Sequence, residues 1–373
     1  MAGEPIRNGV VLVEGARIKA VGPAATTTIP DGARVLKAKV VTPGLIDAHS
    51  VVGLSGLLNQ PHDQEQLEKS APIQPELRAL DGYNARDPLV DWVRSFGVTT
   101  VHTGHAPGAL ISGQTMIVKT SGQSVEEALL NPSAMIAATL GPRGLQDGKD
   151  KAPGTVSKAV AMLRAELIKA AEYAQKRAKT DLEKRPARDL RLEALGRALD
   201  GQQPLLLTTH RHQDILAALR IAAEFKLRIV LDGVADAHLL LDAIKQSGFP
   251  VFLHPTMFRA TQETENLSFE TAAKLKQAGF PFALQSGFEA YVPKTRVVLF
   301  EAAVAAANGL NFTDALASIT IDPARLLGIA ERVGSLAPGK DADLALYDGD
   351  PFEYTSHCVG VVINGVVTDS APH

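Results

Sequence analysis

Short runs rich in aliphatic and β-branched residues alternate with helical stretches along most of this chain, and that alternation restricts the fold more than any other feature. Eight such runs occur, at 45–49, 98–103, 115–120, 135–140, 205–210, 228–233, 251–254 and 282–286. Strands separated by helical patterns are the signature of βα units and a parallel sheet. Eight parallel strands close into a TIM-type (β/α)8 barrel, an α/β fold whose chemistry sits at the C-terminal strand ends and in the loops after them. With 373 residues, 45% of them hydrophobic, the chain can bury a core of that size.

The two ends read differently. Runs at 10–13 and 17–21 flank Glu14-Gly15-Ala16 and predict a hairpin. Runs at 342–347 and 359–363 are followed by the tight-turn pair Asn364-Gly365 and by Val366-Val367, so the ends are expected to pair with each other. In between, Val156, Val160, Leu163, Leu167, Ala170 and Ala174 share one face of a helix spanning 156–179. A second helix runs through Leu190, Leu192, Leu195 and Leu199, beyond a charged hinge, Glu183-Lys184-Arg185, read as a solvated face. The loop 55–87 is long enough to shape a pocket over a barrel mouth.

Composition removes whole classes of function. A formal charge of −3 with mixed signs offers no basic surface to track phosphates, so nucleic acid is not an expected partner. No run of about 18 apolar residues predicts a membrane span. The single cysteine, Cys358, excludes an internal disulfide, fits a reducing compartment, and reads as a small buried apolar residue. The first residues lack the basic and apolar regions of a secretory signal, so the expected location is cytoplasmic.

Val41-Thr42-Pro43-Gly44-Leu45-Ile46-Asp47-Ala48-His49 resembles the Pro-Gly-x-Ile-Asp-x-His segment with which amidohydrolases enter their first barrel strand. Gly334-Ser335-Leu336-Ala337-Pro338-Gly339-Lys340-Asp341-Ala342-Asp343-Leu344 resembles the family's C-terminal signature. Gly97-Val98-Thr99-Thr100-Val101, Ile111-Ser112-Gly113-Gln114 and Ile319-Thr320-Ile321-Asp322-Pro323-Ala324 extend the likeness over almost the whole chain. The likeness is to the imidazolonepropionase-like branch of the amidohydrolase superfamily. It implies a small discontinuous β-sandwich domain from residues 1–43 and 333–373 around a barrel of residues 44–332. It also implies an extra strand before residues 1–6, whose loss would bare a sheet edge and conceal any signal peptide.

The resemblance further implies one or two divalent cations, commonly zinc, that make water nucleophilic and polarise a carbonyl. Position by position, that centre is depleted. The first strand's His-x-His is His49-Ser50-Val51, and valine cannot ligate. Gly141-Pro142 stands where a bridging carboxylate or lysine belongs; His210 fills the fifth-strand position; Gly233 replaces the sixth-strand histidine. Asp232, one residue earlier, is expected to point the other way. Ser286 occupies the place of the aspartate that shuttles the proton, and a hydroxyl is no general base near neutral pH. His49 and His210 remain as residual metal positions, so the expected cofactor is none, or a weakly held divalent ion with zinc foremost.

Two readings of the mouth stay open. In one, His102 and His254 join His49 and His210 in a relocated metal site, assisted by Asp47, Asp232 or His238. In the other, favoured here, these are hydrogen-bonded polar residues lining a pocket. His62, His105 and His212 are explained by exposure, and His357 and His373 lie outside any site. The expected function is therefore a catalytically silent barrel binding a small molecule or a partner subunit. Its rivals are a hydrolase of cyclic-amide C–N bonds and a metal-free enzyme recruiting Ser286 or Asp232. A homodimer is compatible with the surface of the 156–179 helix.

Overall fold

A computed structural model of the chain describes residues 3–58, 60–145, 153–254, 256, 258–289 and 296–369. Eight strand segments, divided between a six-stranded and a four-stranded sheet, follow one another in order. They are Leu45–Ser50, Val98–Thr103, Ile111–Gln114 continuing as Met116–Lys119, Ile136–Thr139, Leu205–Thr209, Ile229–Gly233, Val251–Leu253 and Phe282–Leu284. The first pairs with the second in parallel, and the fourth to eighth are parallel in sequence. Thr115 joins the two sheets through 2.8 Å bonds with Met135 and Ala134. On the far side a parallel bridge between Ser50 and Gly287, with Gly287 N donating to His49 O at 3.1 Å, ties the eighth strand to the first.

The third strand departs from the expected parallel run at 115–120. It is antiparallel to both neighbours, Val98–Thr103 and Ile136–Thr139. The cause is connection length: only residues 104–110 separate it from the second strand, whereas a parallel return needs about a dozen residues or more. Reversal carries Lys119 to the end of the ring opposite the catalytic-type loops. There its ammonium donates to Asp341 at 2.7 Å, to Asp343 at 3.1 Å and to Asn364.

Alternation along the strands sorts two layers. Ile46, Ala48, Ile117, Met135, Leu206, Val230, Phe252 and Ala283 form one buried cluster inside the ring. Leu45, Val101, Leu205, Leu207, Leu231, Leu253 and Leu284, of opposite parity, pack against the surrounding helices. Among those helices, Val156–Arg177 is capped by the Thr155 side chain and buries Leu163 and Leu167, and it packs against Leu190–Leu199.

The two ends meet, but the strand that pairs is Val40–Pro43, while the predicted hairpin forms a two-stranded sheet of its own. Val40–Pro43 lies antiparallel to Leu344–Tyr347, which is followed in the same sheet by Cys358–Ile363 and Val366–Asp369. The ribbon Gly9–Glu14 with Arg17–Pro23 joins it through Ile18, which donates to Lys340 O, and around Ile18, Leu344, Leu346 and Val362. Asn364 and Gly365 both have positive φ, as a type I′ turn requires. A Cβ on Gly365 would also meet Gly15 O at 1.9 Å. His357 is exposed and bonded to Asp348, and His373 lies outside the described residues. No helix among the described residues is long and apolar enough to cross a membrane.

Candidate functional site

The inner parity that begins with Leu206, Val230, Phe252 and Ala283 continues, two residues on, as Thr208, Asp232, His254 and Gln285. Apolar side chains fill the ring and polar ones cap it, at the strand ends where the loops open. These four residues, with His49, His210, Arg143 and Phe258, line a narrow cleft.

At its floor lies a closed set of hydrogen bonds centred on Asp232. His49 Nδ1 donates to Asp232 Oδ1 at 3.0 Å, Gln285 Nε2 donates to the same oxygen at 2.8 Å, and Thr208 Oγ1 donates to Oδ2 at 2.5 Å. Gln285 is fixed in turn by Phe252 O at 2.9 Å. Burial alone would push the Asp232 carboxyl up, but the His49 ring and these donors outweigh it and hold the group below its ordinary range. The converse acts on His49: burial pushes the imidazole down, the Asp232 charge overrides it, and the net shift is upward. Asp232 was expected to point away from the site. It points in, because the inward parity of its strand is that of Val230 and not that of Gly233.

Gly233 has φ +83°, and a Cβ there would lie 2.5 Å from His210 Cε1. The His210 ring therefore fills the space that a side chain at 233 would need. Neither His210 nitrogen has a hydrogen-bond partner among the described residues, and the ring is 6% exposed. Burial, reinforced by Arg143 and His254, pushes it down to about 3, so the imidazole is neutral. Its Nε2 is 4.0 Å from Glu263 Oε1, beyond hydrogen-bond reach. Arg143 Nε sits 2.5 Å from that same oxygen, and the Arg143 guanidinium lies over Phe258 at 5.2 Å.

Other expected residues fall elsewhere. His102 is fully buried below the cleft: Nδ1 donates to Ala48 O at 2.7 Å and Nε2 accepts from Thr115 Oγ1 at 2.6 Å, so no lone pair is left for a ligand. His238 lies in the turn Ala237–Leu239, where Lys274 and Glu270 are its charged neighbours, and it does not line the cleft. Ser286 donates through N and Oγ to the Asp47 carboxylate, whose burial raises it to about 6. His105, read as solvent-exposed, is 6% exposed, neither ring nitrogen has a hydrogen-bond partner among the described residues, and burial pushes it down to about 4. His62 and His212 are exposed as expected. Sequence reasoning missed Thr208, Gln285, Arg143, Phe258 and Glu263. The first two were findable, since they continue an apolar inner row.

The cation implied by the resemblance does not fit this donor set. Structural zinc takes four ligands and catalytic zinc three with water. His49 offers Nε2 and His210 one of its unpartnered nitrogens, while His102 offers nothing and both Asp232 oxygens already accept. Among the described residues no three His, Cys, Asp or Glu side chains are grouped to hold an ion.

Comparison with known proteins places this frame. A family model described as amidohydrolase family matches residues 285–369. The crystal structure of an amidohydrolase from Thermotoga maritima MSB8 superposes with a TM-score of 0.88 at 29% identity, covering 96% of this chain and 94% of that one. The chain belongs to the amidohydrolase superfamily. An imidazolonepropionase from Rhizorhabdus wittichii is 25% identical over 92% of this chain and 88% of its own length. Amidohydrolase tasK from Hapsidospora irregularis is 25% identical over 98% of this chain, which spans 40% of that larger superfamily member. These relatives imply a TIM barrel with a β-rich domain, and the α/β layout with its terminal sheets agrees.

Proposed function

We propose that this superfamily member uses a TIM-type barrel mouth to bind a small polar molecule without metal-dependent hydrolysis, and that residues 1–43 and 333–373 form its accessory β-domain. The observation that carries this reading is the fate of the imidazoles. His49 is committed through Nδ1 to Asp232 and His102 through both nitrogens to Ala48 and Thr115. That leaves His102 with no lone pair to give, and His49 Nε2 with His210 amounts to two imidazoles where catalytic zinc takes three protein ligands. The cleft sets a few convergent polar groups against the aromatic walls Phe258 and Phe288, the kind of lining small-molecule sites have.

Elemental analysis after zinc or manganese loading and exhaustive dialysis tests this. Well under one equivalent is expected. A full equivalent, lost in both His49→Ala and His210→Ala, would overturn the reading. The relatives named as imidazolonepropionases favour a second reading, hydrolysis of a cyclic-amide C–N bond. Turnover of a lactam or imide by the loaded protein, abolished by the same substitutions, is its expected sign.

A further inference from the structure

Four charged side chains from three loops meet beside the cleft. Arg143, in the turn Pro142–Gly144 after the fourth strand, holds Glu263, in the turn Gln262–Thr264 beyond the seventh, with Nε 2.5 Å from Oε1. Arg211, at the start of the helix His212–Phe225 after the fifth strand, holds Asp214 at 2.7 Å. The two pairs face each other across Gly141, where an added Cβ would lie 3.2 Å from Asp214 Oδ2 and 3.7 Å from Glu263 Oε2. Two guanidinium groups against two carboxylates leave no surplus of either sign. Their attraction is spent between the loops.

The two pairs differ in what they join. Arg211 and Asp214 belong to one helix start, whereas Arg143 and Glu263 come from turns far apart along the chain. The backbones of those turns share no hydrogen bond with each other among the described residues. Their association rests on the Glu263 carboxylate, which the Arg143 side chain and backbone N–H both approach. Gln262, just before Glu263, has φ +52°, a left-handed conformation that costs a non-glycine residue energy and relaxes if the contact parts. The Arg143 side chain is 33% exposed and that of Glu263 6%. Behind them lies His210, with Nε2 4.0 Å from Glu263 Oε1 and a ring closed off from solvent. We propose that Arg143 and Glu263 form a latch across the cleft: the made pair shuts His210 away, and its parting admits a small molecule. The Arg143 guanidinium over Phe258 is then the closed state, which accounts for how narrow the cleft is. This rests on the cleft being a ligand site and names how access to it is controlled.

Carbethoxylation of the full chain by diethyl pyrocarbonate near neutral pH, followed residue by residue by peptide mass spectrometry, reads the latch. His357, with a side chain 59% exposed, is the reference for open access. His102, buried with both ring nitrogens bonded, is the folding control and is expected to stay unmodified. In the unaltered protein His210 is expected to react far more slowly than His357. Arg143→Met and Glu263→Gln each keep most of the side-chain bulk and remove the charge pair. Each is expected to raise the His210 rate about fivefold or more, the order for losing a part-buried pair that limits local opening. The His357 rate is expected to stay the same, and if one variant fails to fold, the other carries the test. An unchanged His210 rate in a folded variant would overturn the latch, as would His210 reacting as fast as His357 in the unaltered protein. Either result leaves the ligand-site reading standing, since metal loading tests that reading separately.

Discussion

At the scale of single residues, His102 shows how a polar group serves this interior. It is fully buried, and burial, with the nearby His49 adding, pushes it down to about 3. Unfolded, the ring titrates near about 6.5. A depressed folded value means that His102 contributes stability in full above about 6.5 and loses it as pH falls towards about 3, because the unfolded chain takes up the proton first. Urea midpoints are therefore expected to fall between pH 7 and about pH 4.5, and His102→Gln is expected to flatten that dependence while lowering stability at pH 7. An unchanged slope in the variant would assign the acid sensitivity to other groups. Gly233 teaches the complementary lesson: the missing side chain is filled space, since His210 lies where a Cβ would be.

At the scale of elements, the reversed third strand decides what joins the ring to the terminal sheet. Lys119 emerges among Asp341 and Asp343, with side chains 3%, 1% and 3% exposed, while Arg332 and Arg17 reach Asp341 from outside. Removing one member of a buried ion cluster leaves its partners uncompensated, at a cost of about 3–5 kcal/mol. Lys119→Met is expected to lose that much in chemical denaturation. A loss below about 1 kcal/mol would mean that water reaches the carboxylates and the cluster acts as a surface pair. Strand direction supplies this junction, because a parallel third strand would have delivered Lys119 to the opposite end.

At the scale of the molecule, the ring is unevenly held. The fifth and sixth strands share five paired positions, Leu205↔Ile229 to Thr209↔Gly233. The first and eighth meet at the Ser50–Gly287 bridge outside their regular pairing. Protection from hydrogen exchange follows the cooperativity of local opening. The Gly287 amide is expected to exchange well before those of Leu206 and Leu231, as read by mass spectrometry of peptides across both seams. Equal protection would show that the ring opens as one unit. The cleft rests on this weaker seam, since His49 and Gly287 both line it.

Local pattern was enough for much of the fold. Period-two runs and turn residues such as Asn364-Gly365 identify the strands and the paired ends, because side-chain parity and φ preference belong to the residue and its neighbours. That Val51, Gly141 and Gly233 carry no metal-binding side chain is likewise legible, since side-chain chemistry does not depend on the fold. Direction and company are not legible in this way. That the third strand runs backwards, that Asp232 rather than Gly233 faces inward, and that Glu263 arrives from a distant loop beside His210 were settled by tertiary structure. Each depends on which strands lie side by side, and hydrogen bonding between residues such as His49 and Asp232, far apart along the chain, is a property of the assembled strands.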